Sequence, residues 1–236
     1  MKKSIYSLML FDEIVEKIDQ MAYVNYTNRS QLINEILAEH LGLVTPEQKI
    51  QTILETLKEN FSDTLSVSQV NKNSSIQFGK SLKYKYRPKV KYSIEFVGVG
   101  GQKYAVLKIS SRTKSVELNH HFDEFFRIIC ELEAKHISKD EIIYETSANH
   151  KFVLEFRDEG SVSRDVKEVS SLLTNYLKMI DAAMDIYFEH EGSDVEGDIK
   201  QLYQNYLDSK HQPPAKTADT RMLTRIMFAK IAIGKI

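Results

Sequence analysis

The sequence predicts a mainly helical chain with an α+β portion, built as a short strand and two short helices, then antiparallel hairpins, then a long helix. Three observations carry this reading. Apolar residues recur at helical spacing through residues 12–61, at period two between about 75 and 111, and at helical spacing again in 122–132 and 166–187. Strands grouped together with helices before and after them form the α+β pattern. The 236 residues, 42% of them hydrophobic, can furnish a core.

The opening stretch "SIYSLMLF" reads as a strand. It falls far short of the roughly 18 to 20 apolar residues of a membrane span. It also runs into Asp12 and Glu13 without a small-residue cleavage site, which argues against a secretory signal and for a cytoplasmic protein. The single cysteine, Cys130, cannot form an internal disulfide, and in "FFRIICEL" it reads as a small buried hydrophobe.

"DEIVEKIDQMA" places Ile14, Val15, Ile18, Met21 and Ala22 at helical spacing, with acids in the first turn where the helix dipole favours them. "YVNYTN" interrupts it. "RSQLINEILAEHLGL" then repeats the pattern with Leu32, Ile33, Ile36, Leu37, His40 and Leu41, with Ser30 as the expected N-cap and Gly42 as the stop. A strand and two helices in about 42 residues bury little surface alone, so dimerisation is expected.

"LVTPEQK" marks a boundary, with Thr45 as N-cap, Pro46 at the first helical position and Gln48 closing a capping box. The helix that follows carries Ile50, Ile53, Leu54, Leu57 and Phe61 on one face. "SDTLSVSQVNKNSS" reads as a loop. "SIQFGKSL", "KYKYRPKVKYSIEFV" and "KYAVLKISS" read as strands, the last two joined as a hairpin across Gly100 and Gly101. A helix over "HFDEFFRIICELEAKH" turns Phe122, Phe125, Phe126, Ile129 and Leu132 inward, and a hairpin over "EIIYETSANHKFVLEF" follows. From 164 to 190 a long helix aligns Val166, Val169, Leu173, Tyr176, Leu177, Ile180, Met184 and Tyr187 in one stripe. After a break at "EGSDVEGD" come a shorter helix at "IKQLYQNYL" and a proline-containing linker. The tail, with Arg221, Arg225, Lys230 and Lys235, reads as a basic-apolar helix docking on the core rather than on a membrane. Three regions result: 1–44, 45–208 and 209–236.

The net charge of −1 is unevenly spread, with −2 in residues 1–44, +7 in 45–118, −10 in 119–200 and +4 from 201 onward. One surface is therefore suited to a polyanion, and another would repel it.

The order strand, helix, turn, helix, with "LMLFDEIVEKIDQMA" and "NRSQLINEILAEHL", resembles the ribbon-helix-helix DNA-binding proteins related to Arc and MetJ. The resemblance covers residues 1–44 only. It implies that the opening strands of two subunits pair antiparallel and enter the major groove of double-stranded DNA, while the start of the second helix meets a phosphate. Alternation along a strand separates Tyr6, Leu8 and Leu10 from Lys3, Ile5, Ser7 and Met9 without saying which set is inward. The family's spacing assigns Tyr6, Leu8 and Leu10 to the core. The base-contact candidates are then Lys3, Ile5, Ser7 and Met9, and the phosphate-contact candidates are Asn28, Arg29 and Ser30. Two readings of Ile5 and Met9 stay open: contact with thymine methyl groups, or a ribbon that serves dimerisation alone.

In "KYKYRPKVKYSIEF", Lys83, Lys85, Arg87, Lys89 and Lys91 fall at period two, as candidate auxiliary contacts for a polyanion. On one strand they would stand about 6.6 to 6.8 Å apart, near the spacing of successive phosphates. Edge protection by lysines is the competing account. The other motifs read as structural. "GVGG" leads into a strand and is a hairpin turn rather than a phosphate loop. Adjacent His120 and His121 with Asp123 read as surface or capping groups rather than a metal site. Asn149 and His150 sit at a hairpin tip, and no motif announces a nucleophile, a carboxylate pair or a cofactor site.

The expectation is thus a non-enzymatic, dimeric, sequence-specific transcriptional regulator, most simply a repressor. The homodimer or higher homo-oligomer would be extended by a C-terminal domain that takes a protein or small-molecule effector, with no membrane partner. The alternative is a DNA accessory protein of a plasmid or mobile element, acting in segregation or relaxosome assembly. A short antitoxin fits poorly, because the region after residue 45 reads as folded.

Overall fold

The computed structural model describes residues 4–71, 74–99, 102–136, 151–189 and 194–211. These form a mixture of helices and one antiparallel sheet, in agreement with the α+β class expected from the periodicities. No helix among the described residues is long and apolar enough to cross a membrane.

Helices α1 (Asp12–Val24) and α2 (Arg29–His40) come first. The cap of α2 is Asn28, two residues before the expected Ser30. Asn28 has extended backbone and its Oδ1 accepts the Gln31 N–H at 2.9 Å, so the helix is already under way at Ser30. Gly42 is the stop that the sequence suggested. Its φ of +67° lets the Gly42 N–H reach Glu39 O at 3.1 Å and the Leu43 N–H reach Ala38 O at 2.8 Å, closing the helix end. Ile18, Ala22 and Leu32, with Ile33 against them, form a small core of their own.

Helix α3 (Pro46–Phe61) opens with the expected capping box of Thr45 and Gln48 and buries Ile50, Ile53, Leu54, Leu57 and Phe61. The sheet then runs as a meander of β1 (Ser66–Asn71), β2 (Ser75–Ser81), β3 (Lys89–Val99), β4 (Gln102–Ser111) and β5 (Lys151–Ser161), in that spatial order and antiparallel throughout. Two corrections follow. The stretch read as a loop contains β1. As an edge strand it packs Val67 on the core and turns Ser66 and Ser68 to the neighbouring backbone, so its serine content hid its period. Conversely, the strand expected over 83–97 starts only at Lys89, because residues 82–88 form the β2–β3 turn. Its backbone reverses at Tyr86 and Arg87, whose φ values are +65° and +46°, just before Pro88. The hairpin expected across Gly100 and Gly101 pairs Val99 with Gln102.

Helix α4 (Val116–His136) is capped by Ser115, α5 (Val166–Glu189) by Asp165 and α6 (Val195–His211) by Asp194. The cap at Asp194 starts α6 inside the stretch read as a break. The first arm of the expected hairpin at 141–156, with Asn149 and His150, lies outside the described residues, as does the tail from 212. At 24 residues, α5 is about 36 Å long.

One face of the sheet presents Ile76 and Phe78, then Tyr92 and Ile94, Leu107 and Ile109, and Phe152 and Leu154 to the same core that takes in α3, α4, α5 and α6. Phe126 of α4 stacks on Phe152 at 5.3 Å, and Phe156 meets Tyr176 of α5 edge-on at 5.3 Å. Cys130 is buried here, and burial, reinforced by Glu133 and Glu131, pushes its thiol up to about 11. It is therefore protonated and inert at neutral pH.

A charged knot ties the sheet to α5. Lys80 Nζ lies 3.0 Å from both carboxylate oxygens of Asp181 and 2.6 Å from the Asp185 carboxylate, and the buried Tyr92 hydroxyl donates to Asp181 Oδ1 at 2.7 Å. Burial alone would lower the pKa of Lys80. Its bonds to Asp185 and Asp181 reverse that, holding the ammonium above its ordinary 10.5. Lys80→Met is expected to destabilise the chain by about 2–3 kcal/mol in urea unfolding. That is less than the roughly 3–5 kcal/mol of a fully buried pair, because Lys80 and Asp185 reach solvent. Lys83→Met, which removes only the more exposed pair with Glu189, is expected to cost under about 0.5 kcal/mol.

Candidate nucleic-acid interface

Residues 4–11 form no hydrogen-bonded strand with any described residue, and Phe11 holds extended backbone at the start of α1. Tyr6, Leu8 and Leu10, expected in the core, are all exposed, at 82%, 65% and 41%, because no described residue packs over them, and Ile5 and Met9 are fully exposed at 100% and 101%. The exposed apolar surface does not end there. Among the described residues, every exposed large hydrophobic side chain except Tyr86 and Val116 lies between Ile5 and Val44, including Ile14, Met21, Ile36 and Leu37. Isolated exposed leucines are ordinary, but this concentration in one small unit is not.

At the start of α2 the three phosphate-contact candidates have different surroundings. Asn28 spends its side-chain oxygen on the cap. Arg29 folds back on α1, with Nε 2.6 Å from Asp19 Oδ1 and Nη2 bonded to Asp19 Oδ2. This two-bond fork holds the helices together and neutralises the cation. Ser30 is exposed, and its carbonyl accepts Asn34 Nδ2 at 2.7 Å. The N–H groups of the first turn have no acceptor within the helix, so the end of α2 still presents a partial positive charge.

The five-cation row does not exist as a row. Lys89 and Lys91 are on β3, but Lys83, Lys85 and Arg87 are on the β2–β3 turn. That turn is anchored. Leu82 is buried and its N–H donates to Pro88 O at 2.9 Å. Tyr84 packs edge-on against Phe188 at 5.5 Å and His121 at 5.7 Å, and Lys83 pairs with Glu189 at 3.1 Å. The apex then carries Lys85, Tyr86 and Arg87 outward, all exposed.

Sequence reasoning missed the neighbours of this turn. The β3–β4 pairing sets Val90 opposite Ser111 and so brings Arg112 and Lys114, both exposed, to the end of the sheet where β3 begins. β5 adds Lys151, which pairs with Ser110. The signal was present. The pairing of Val99 with Gln102 belongs to a register in which 89 falls opposite 112. Farther along the same face the cations are paired, Lys108 to Glu95 at 2.6 Å and Arg157 to Glu155 at 2.8 Å.

His120 and His121 both face Glu124, at 3.7 and 4.0 Å, and Glu124 also accepts the Tyr187 hydroxyl at 3.0 Å. No group of three or more His, Cys, Asp or Glu side chains among the described residues is placed to hold a metal ion. No family model matches this chain, and no curated protein or solved structure matches it either.

The Arg29 fork holds the Asp19 carboxyl below its ordinary 3.8. A lowered folded-state pKa means that the contribution is present at neutral pH and is lost as pH falls through that lowered value. Amide protection factors within α1 and α2, corrected for intrinsic exchange, are accordingly expected to fall below about pH 3.8, and those of Asp19→Asn to be lower already at pH 7 with this acid limb diminished.

Proposed function

We propose that the chain is a dimeric, sequence-specific DNA-binding regulator, acting as a repressor, in which residues 4–11 of two copies pair as an antiparallel ribbon that enters the major groove. The observation that carries this reading is the concentration of exposed apolar side chains between Ile5 and Val44 around a segment of extended sequence without a strand partner among the described residues. A unit of about 40 residues lies at the lower limit of what folds unaided, and a second copy supplies the missing cover. Pairing also satisfies the strand's backbone groups, which a single chain leaves to water.

The face assignment puts Tyr6, Leu8 and Leu10 toward α1 and α2 and Ile5, Ser7 and Met9 in the groove, and the lower exposure of Leu8 and Leu10 fits it, whereas Tyr6, at 82%, would gain its cover only in the dimer. Thymine methyl groups are natural contacts for Ile5 and Met9, with Ser7 and Lys3 hydrogen-bonding base edges. With Arg29 committed to Asp19, phosphate contact falls to the first-turn N–H groups of α2 and the Ser30 hydroxyl. The larger α+β region then carries higher assembly or effector binding. DNA selected from a random duplex library is expected to contain an inverted repeat. Lys3→Ala with Ser7→Ala is expected to weaken binding to it by about tenfold or more while leaving the dimer intact. Unchanged affinity of that double variant would remove the ribbon from the groove.

A further inference from the structure

Among the described residues of the α+β region, Tyr86 is the most exposed large hydrophobic side chain, at 89%. It sits at φ +65°, a left-handed backbone that aromatic L-residues rarely adopt, and Arg87 follows at +46°. Such strain persists only when the surroundings over-determine it. Here they do, through buried Leu82, the Leu82–Pro88 hydrogen bond, the packing of Tyr84 on α4 and α5, and the Lys83–Glu189 pair. The turn is therefore a fixed mount, and what it displays is one aromatic ring. Lys85 Nζ lies 5.4 Å from the ring centroid, and the ring remains open to solvent otherwise. Arg87 flanks it in sequence, and Lys89, Arg112 and Lys114 stand at the same end of the sheet. Lys83 is committed to Glu189, and the acid of the adjoining first turn of α4 is Glu117.

We propose that this turn is a contact for single-stranded nucleic acid, in which Tyr86 stacks on an unpaired base while Lys85, Arg87, Lys89 and Arg112 meet the flanking phosphates. The chemistry selects this partner. Every base offers a π-face, and stacking on an aromatic with cations along the backbone is the general mode for single strands. A duplex occupies those faces with its own stacking and offers edges and phosphates instead. A lipid surface rewards a broad apolar face, and one ring supplies too little area. The inference stands on residues 82–115 and not on the ribbon.

The test is fluorescence anisotropy of the full chain with labelled oligothymidine across a salt series. Tyr86→Asn keeps a residue that tolerates the left-handed backbone and is expected to weaken binding about tenfold, whereas Tyr86→Phe retains it. Lys85→Gln, Arg87→Gln and Lys89→Gln together are expected to reduce the slope of log affinity against log salt by about 2. Wild-type binding that depends on the turn upholds the proposal, even if duplex selection yields no site. Failure of the wild type to bind oligothymidine overturns it, as does an Asn variant that folds and binds unchanged. Turn-dependent binding to phosphatidylserine vesicles in place of oligothymidine also overturns it, in favour of a lipid surface.

Discussion

Residues 4–11 carry an alternating sequence that suits a β-strand, a strand needs a neighbour, and these residues have none within the described part of their own chain. That constraint organises the front of the molecule. The helices behind it bury only Ile18, Ala22, Leu32 and Ala38. Ile33 packs against that small core and Val15 is half-buried, while Ile14, Met21, Tyr23, Val24, Ile36, Leu37 and Leu41 are exposed on the same unit. The Arg29–Asp19 fork and the Gly42 stop give the two helices a defined geometry, but neither supplies hydrophobic cover. In the proposed dimer, a symmetric partner provides a second strand and a second apolar face together.

The larger region is the reverse case. Its sheet is covered on one face by α3, α4, α5 and α6, and its core is continuous from Ile50 to Tyr203. The Lys80 knot and the anchored β2–β3 turn fix the end of the sheet where Lys85, Arg87, Lys89, Arg112 and Lys114 gather. Acids of the same face, Glu95 and Glu155, lie farther along the strands and carry their own partners, Lys108 and Arg157. The positive segment read from the sequence thus maps to one end of a sheet rather than to a line of charges.

What could be read from the sequence was the local physics. The capping box at Thr45, the inward faces of α3 and α5, and the Gly42 stop each follow from a few neighbouring residues. What failed had non-local causes. β1 is polar on its outer side because it is an edge strand, and only its pairing with β2 reveals it. The four lysines and the arginine looked like a strand because alternation persists through 83–91, whereas the reversal at Tyr86 and Arg87 is imposed by docking Leu82 and Tyr84 on the core. Arg29 was read as an outward cation because Asp19, ten residues away, becomes its neighbour only when α1 and α2 pack. Glu133, almost fully buried on α4, carried no sequence signal at all.

Pairing of the opening segment between two copies is the claim on which the functional reading rests, and amide hydrogen exchange of residues 4–11 tests it directly. Measured on the full chain over a range of protein concentrations, exchange in this segment should slow as concentration rises, with protection alternating between neighbouring amides as in an antiparallel ladder. Rapid exchange throughout the segment at every concentration would contradict the account.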